Sequence, residues 1–221
     1  MTDAHCHVSA EDPSVREFLI GRDFFGVHPQ DSGCADVAEE LAALEARLEG
    51  SPGAGVGEIG LDRLLVREVS PAMQGLFEAQ LALAVRFGRP VVLHGAKCWG
   101  RVVEAVRRLA GGGIPFLCHG FSRSGGLIPE IVELGGYFSV GPAILNDHAV
   151  NYRELAKRFP CERLMVETDR TADNAADCPS VRAVLEKLAE VRGVPADELE
   201  RATDANADEF LGGHRPAGSK T

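Results

Sequence analysis

Two histidines near the start of the chain, His5 and His7, are separated by one residue and preceded by Asp3. In an extended strand the side chains alternate between two faces, so both imidazoles project to the same side. On a helix the same spacing would turn them roughly 200° apart. Imidazole is the commonest metal ligand among side chains, and a nearby carboxylate can orient its second nitrogen. The pattern therefore predicts half of a metal site at the end of the first strand.

Further polar residues stand where other apolar segments of the chain end. They are His28, Glu58, His94, His119 and Asp169. Nitrogen and oxygen ligands without thiolates suit Zn²⁺, Mn²⁺, Co²⁺ or Mg²⁺. Together with His5 and His7, and leaving out His28, these residues form a set of six candidate metal ligands. Six ligands are too many for one catalytic metal but suit two metals about 4 Å apart that share a carboxylate. Taken alone, a histidine such as His94 is more typical of a core residue bonded to a backbone carbonyl, but the repetition favours a metal site.

These residues need a framework that brings strand ends together. Short apolar segments such as Pro90–His94 alternate with amphipathic stretches such as Trp99–Leu109, and no hairpin signal occurs. This alternation favours parallel strands with helical crossovers. We predict an α/β fold of the (β/α) TIM-type barrel class, whose active sites lie at the C-terminal strand ends. An open doubly wound sheet, with its ligand crevice at one switch point, is the alternative.

Two stretches of the predicted barrel need separate mention. The gap between His7 and Phe24 is short for a full helix-strand-helix connection, so we expect the barrel to be incomplete or distorted over residues 8–23; Val15–Gly21 itself is ambiguous. Tyr137–Ile144 is predicted to form a single strand. The barrel is expected to be one domain over residues 1–211, followed by a flexible, polar tail over residues 212–221.

Composition limits the classes of protein that fit. The chain has 221 residues, 45% of them apolar, and a net charge of −10, which argues against a broad nucleic-acid-coating surface. Its six cysteines form no CxxC pair, which is typical of a reduced intracellular protein. No apolar run approaches the roughly 20 residues of a membrane span, and no leader pattern opens the chain. We predict a cytoplasmic protein, without membrane contact and monomeric.

Several motifs, in order along nearly the whole chain, resemble the TatD-type metal-dependent deoxyribonucleases and hydrolases of the amidohydrolase-like barrels. They are Asp3–His7, Gly26–Pro29, Gly57–Asp62, Pro90–His94, His119–Ser124, Tyr137–Pro142, Glu167–Asp169 and Asn206–Phe210. The chain departs from the family pattern in three places: Gly95 follows the histidine of the fourth motif, Arg170 follows the last aspartate, and the stretch between His7 and His28 is shorter by about a helix and a strand. The chain resembles a short, divergent member with an altered substrate wall.

The resemblance implies a role for each candidate residue. His5 and His7 would hold one divalent metal with Asp169, while His94 and His119 would hold a second, and Glu58 would bridge the two. Asp62 is expected to orient a ligand or cap a helix rather than bind metal.

Catalysis and substrate contact follow from the same resemblance. A metal-activated water would attack the substrate, and Asp169 would orient it and take its proton. His28 is expected to contact substrate, and Arg123 or Arg170 to stabilise charge on phosphoryl oxygens.

The function predicted from these residues is hydrolysis of phosphodiester bonds, exonuclease-like, on single-stranded DNA ends or a small phosphodiester. The alternative keeps the site but changes the substrate to a small cyclic amide or ester. A non-catalytic metal-binding scaffold is a third hypothesis, which the complete ligand set disfavours.

Overall fold

The structure is a computed structural model that describes residues 1–33, 36–64 and 67–212. Within these residues the chain forms eight parallel strands. They are β1 (Thr2–Cys6), β2 (Arg16–Leu19), β3 (Phe24–Phe25), β4 (Gly55–Asp62), β5 (Val91–Ala96), β6 (Phe116–Cys118), β7 (Gly136–Val140) and β8 (Leu164–Val166). Strand β1 pairs with β2. The six strands from β3 through β8 form a second, continuous parallel sheet in which each strand neighbours the next in chain order.

Two junctions join these sheets into the predicted (β/α) barrel. A single parallel bridge between Ile20 and Phe24 connects β2 to β3. On the other side, the backbone N–H of Asp169 donates to the carbonyl of His5 at 3.0 Å, so the chain after β8 lies beside β1. Strand order and these contacts give the (β/α) barrel rather than the open sheet.

Helices cover the outside of this barrel. They are α1 (Val37–Gly50), α2 (Pro71–Phe87), α3 (Trp99–Leu109), α4 (Ile128–Glu133), α5 (Val150–Arg158), α6 (Val181–Arg192) and α7 (Ala196–Leu211). Their boundaries follow local signals: α2 begins with Ser70 Oγ accepting from the Met73 N–H at 3.1 Å and ends at Gly88 with φ 64°. No helix among the described residues is long and apolar enough to cross a membrane.

The core has two layers that follow the strand alternation. Val91 and Leu93 belong to the apolar cluster beneath the helices, whereas Val92 between them belongs to a second cluster. On β6, Phe116 and Cys118 belong to the first cluster and Leu117 belongs to the second. Because neighbours on a strand face opposite sides, the second cluster fills the inside of the barrel. Its aromatic members are Phe18, Phe24, Tyr137 and Phe210. Since Phe210 comes from α7, the last helix closes the barrel floor below the polar strand ends.

The expected irregularity over residues 8–23 is present. Residues 7–15 connect β1 to β2 and residues 20–23 connect β2 to β3, both without a helix. The ambiguous stretch Val15–Gly21 contains strand β2, which the sequence pattern did not reveal. The prediction of one strand over Tyr137–Ile144 was too long: β7 ends at Val140, because Pro142 lacks a backbone donor and begins a 3₁₀ helix over Pro142–Leu145.

The predicted tail cannot be compared with the structure over most of its length. Gly212 ends α7 with φ 56°, and Gly213–Thr221 lie outside the described residues. The division into a domain over residues 1–211 and a tail over residues 212–221 stays a prediction.

Close packing of β4 against β5 generates a stability prediction. Gly60 has φ 150°, and a Cβ there would overlap the carbonyl of His94. We expect Gly60→Ala to lower the free energy of unfolding by roughly 2–4 kcal/mol, since both strain and overlap result. Gly75, exposed in the middle of α2 with open space around it, is the matched control. Gly75→Ala should raise the free energy of unfolding by about 0.5–1 kcal/mol. Urea denaturation of both variants checks this, and equal effects would contradict the packing argument.

Candidate metal centre

The carboxylate of Glu58, on β4, lies between four histidine side chains. Its Oε2 is 3.3 Å from Nε2 of His5 and 3.3 Å from Nε2 of His7. Its Oε1 is 2.6 Å from Nδ1 of His94 and 3.0 Å from Nε2 of His119. Each carboxylate oxygen therefore faces one pair of imidazoles, and the pairs come from β1 on one side and from β5 and the end of β6 on the other.

Asp169 stands on the His5 and His7 side of this arrangement. Its Oδ1 is 3.5 Å from Nε2 of His5 and 3.7 Å from Nε2 of His7, and its side chain is 48% exposed. Its backbone adopts φ 49°, a left-handed conformation that turns the chain after β8 toward β1. The structure thus brings all six predicted ligand residues together at the C-terminal strand ends.

Buried polar atoms in the cluster fit a cation. The ring of His5 is fully buried; among the described residues its Nδ1 has no partner, and its Nε2 faces the carboxylates of Glu58 and Asp169 without meeting hydrogen-bond geometry. A buried polar group without a partner is costly, so its presence between two carboxylates points to a bound ion. Donor atoms of three residues lie within 4.8 Å of one another in three groups: His5, His119 and Asp169; His5, His7 and Glu58; His28, Glu58 and His94. Imidazole and carboxylate together suit a divalent metal.

Electrostatics in the centre also favour positive charge. Burial raises the pKa of Glu58, but the imidazoles of His119 and His5 outweigh this and hold it well below its ordinary value. Burial and the neighbouring His119 lower the pKa of His5, but the carboxylates of Glu58 and Asp169 outweigh them and raise it to about 9. The carboxylates thus stay ionised and favour a cation, whether proton or metal, so metal binding must release protons.

A second carboxylate, Glu167, orients His119. Glu167 is 1% exposed, accepts hydrogen bonds from the Ser139 hydroxyl and from the Gly120 N–H at 3.0 Å, and lies 3.3 Å from Nδ1 of His119. With Nδ1 held by this carboxylate, Nε2 faces Glu58. The sequence analysis quoted Glu167 within a motif without giving it a role. Its spacing from Asp169, the same period of two that marks His5 and His7, was the signal.

Two further aspartates hold the ligands in place. Asp3 does not orient an imidazole: its Oδ1 accepts from the backbone N–H groups of Thr168 at 3.0 Å and His5 at 3.3 Å, and its Oδ2 from the Thr168 hydroxyl at 2.6 Å. It therefore fastens β1 to the chain after β8. Asp62 has the predicted orienting contact, with Oδ2 at 3.2 Å from Nε2 of His94, while Oδ1 accepts from the Leu64 N–H.

The predicted substrate residues fall in different places. Nε2 of His28 lies 3.7 Å from Oε1 of Glu58, at the edge of the centre. Its Nδ1 accepts from the Gln30 N–H at 3.2 Å, so in the neutral ring Nε2 carries the proton and is a donor. Arg123 contacts none of the ligands in the described structure and lines a neighbouring cleft. Arg170 lines another cavity, of about 360 Å³, with Asp3 and Cys178.

The unusual glycine after His94 has a structural reason. A Cβ at Gly95 would overlap the indole of Trp99, the first residue of α3. Trp99 is 4% exposed and its ring packs at a tilted angle against Phe121, with ring centroids 5.1 Å apart. Residue 95 is therefore glycine because Trp99 packs against it in the core beneath the helices.

Comparisons with known proteins agree with this geometry. The family model described as TatD related DNase matches residues 14–212. The 3'-5' ssDNA/RNA exonuclease TatD of Citrobacter rodentium is 29% identical over 205 residues, which cover 85% of this chain and 75% of that protein. The uncharacterized metal-dependent hydrolase YjjV of Escherichia coli K12 is 32% identical over 178 residues, covering 73% and 66%.

A structural comparison supports the fold. The crystal structure of YjjV, a TatD homologue from Escherichia coli K12, has a TM-score of 0.77 and 24% identity, and covers 95% of this chain and 97% of that one. Barrel, clustered ligands and relatives define a metal-dependent hydrolase that acts on ester bonds. The chain belongs to the TatD related DNase family.

The Asp3 contacts generate a prediction for Thr168. Thr168→Val keeps the shape of the side chain but removes the hydroxyl that donates to buried Asp3. We expect a loss of about 1–3 kcal/mol in the free energy of unfolding, because a buried acceptor loses its partner. Thr168→Ser retains the hydroxyl and is the matched control, with a smaller loss. Chemical denaturation measures both, and a serine variant as unstable as the valine variant would contradict the role given to the hydroxyl.

Proposed function

We propose that the chain is a two-metal hydrolase that cleaves phosphodiester bonds at the ends of single-stranded DNA. The observation that carries the proposal is the division of the four histidines into two pairs by the two oxygens of Glu58. One carboxylate that faces two separate imidazole pairs suits a bridge between two cations. Zn²⁺, Mn²⁺, Mg²⁺ and Co²⁺ all fit the donor set.

The ligand assignment is the one that the resemblance implies, and the short distances to Glu58 support it. In it, His5 and His7 would hold one metal together with Asp169, His94 and His119 would hold the other, and Glu58 would be shared. When bound, the metals supply Lewis acidity toward a phosphoryl oxygen and lower the pKa of a water. Glu167 and Asp62 keep the second pair of imidazoles in position, and Asp3 does the same for the backbone of β1.

Asp169 is the group proposed to move the proton. Burial raises the pKa of Asp169, but the imidazoles of His5 and His119 outweigh this and hold it below its ordinary value. The carboxylate is therefore ionised at neutral pH. Its half-exposed side chain stands at the mouth of the centre, where the carboxylate would orient the attacking water and accept its proton.

His28 is proposed to contact the substrate rather than a metal. Because its Nδ1 accepts a backbone hydrogen bond, Nε2–H is available as a donor toward a phosphoryl oxygen. This donor lies next to Glu58 and His94, where charge develops during hydrolysis.

Charge favours short single strands as substrate. The net charge of −10 leaves no broad basic groove for a duplex, so affinity depends on the metals and a few local contacts. Relatives named as 3'-5' ssDNA/RNA exonucleases support nucleic acid as the substrate class. The cytoplasmic location and the monomeric state stay predictions from composition.

A substrate panel tests the proposed function. With bound metal verified by elemental analysis, we expect hydrolysis of single-stranded oligonucleotides and slower cleavage of duplex DNA. Asp169→Asn should lower kcat by about 10²–10⁴-fold, the usual contribution of a positioned base. Asp197→Asn, an exposed aspartate on α7, is the control and should keep the wild-type rate.

The panel also decides between substrate classes. Cleavage of small cyclic amides or esters, with no cleavage of oligonucleotides under any of the four metals, would contradict the proposal in favour of an amidohydrolase activity. A kcat for Asp169→Asn within tenfold of wild type would remove the role proposed for this carboxylate.

A further inference from the structure

A cleft of about 770 Å³ opens beside the metal centre, between the segment after β6 and the start of α5. Arg123, His148, Tyr152 and Arg158 are among its described lining residues. We propose that this cleft is a subsite for a second backbone phosphate of a single-stranded nucleic acid, contacted by Arg123 and Arg158. The inference rests on the proposed function and adds the path that the strand takes.

Arg123 combines a strained backbone with an unused guanidinium. Its φ is 64°, in the left-handed region that residues other than glycine rarely adopt. Its exposed side chain makes no hydrogen bond, ion pair or ring contact within residues 1–33, 36–64 and 67–212. No internal contact of the side chain accounts for an arginine at this position. Strain of this kind clusters at binding sites, and guanidinium is the group that best matches phosphate geometry.

Arg158 provides a second guanidinium that is already fixed. Its Nη2 donates to the carbonyl of Gly125 at 2.9 Å, which ties α5 to the segment that carries Arg123. Arg158 also lines the cleft. Glu154, the acidic residue of the lining, lies 2.6 Å from Nζ of Lys157, which offsets its charge. The cleft is therefore locally positive although the chain is acidic.

The cleft is joined to the metal centre by short connections. Arg123 follows His119 in the same segment after β6. On the opposite wall, the Tyr152 hydroxyl accepts a hydrogen bond from the Gly141 N–H at 3.1 Å. Gly141 lies against Glu167, which orients His119. A phosphate held in the cleft would thus be positioned by the same framework as the metal ligands.

Charge on the other side of the barrel supports this path. A cleft of about 490 Å³ over β1 to β4 is lined by His7, His28, Asp31, Glu40 and Glu58 among others. None of the residues described in that lining is lysine or arginine. Strand order places β1–β3 and β6–β7 on opposite sides of the barrel. Asp31 and Glu40 in this lining disfavour further backbone phosphates beyond the one that His28 contacts, so the charges favour a path of the strand over β6 and β7.

Arg123→Gln tests the subsite. The substrates are hexathymidylate, which reaches the cleft, and thymidine 5′-p-nitrophenyl phosphate, which has a single phosphodiester. We expect kcat/KM for the hexamer to fall at least fivefold more than for the ester. The slope of log KM for the hexamer against log salt should fall by about 0.7, the value for one lost phosphate contact on a single strand. Arg107→Gln, on the outer helix α3 and paired with Glu130, is the matched control and should leave both quantities unchanged.

Arg123→Gly separates binding from structure. Glycine adopts positive φ without strain, so this variant should unfold at a temperature at least equal to wild type while losing hexamer cleavage as Arg123→Gln does. Equal losses on both substrates, or no loss on the hexamer, would overturn the subsite alone. Cleavage of neither substrate by metal-loaded wild type would reject the proposed function, and the subsite with it.

Discussion

A buried carboxylate surrounded by imidazoles is the interaction on which the rest of the structure depends. Glu58 is 3% exposed and stays ionised, because the imidazoles of His119 and His5 outweigh burial and hold its pKa well below the ordinary value. An isolated carboxylate in an apolar interior is strongly unfavourable, so these groups must converge or the site does not form. Their convergence requires strands β1, β4, β5 and β6 to end at one rim. The barrel meets this requirement, because all its strands are parallel and their C-terminal ends point the same way.

Positioning of the ligands depends on contacts behind them. Glu167 fixes His119, Asp62 contacts His94, and Asp3 fastens β1 to the chain after β8. Such contacts set ring orientation before a ligand arrives, which lowers the cost of organising the centre during binding or reaction. Asp169 differs, since its side chain is 48% exposed. Of the two carboxylates proposed to hold metal, the one also proposed to move a proton is therefore the more exposed.

Local periodicity accounts for what the sequence could predict. The spacing of His5 and His7, and the repeated polar ends of apolar segments, predicted the parallel architecture and the six residues that the structure brings together. Strand β2 was missed because Arg16–Leu19 is short and mixes charged with apolar residues. The bond from Thr168 to Asp3 spans 165 residues, so no local pattern reports it. The positive φ of Arg123 could not be predicted either, because in a sequence only glycine indicates a left-handed backbone conformation.

The central claim, that Glu58 joins two metals, is tested most directly by electron paramagnetic resonance of the protein loaded with Mn²⁺. The account predicts two Mn²⁺ per chain and the signal of an exchange-coupled pair, replaced in Glu58→Gln by the six-line spectrum of isolated ions with fewer than two bound. Glu17→Gln, a buried glutamate on β2 whose side chain accepts from the Ala10 N–H, should keep the coupled signal. A six-line spectrum from one Mn²⁺ per chain in the wild-type protein at saturating metal would contradict the account.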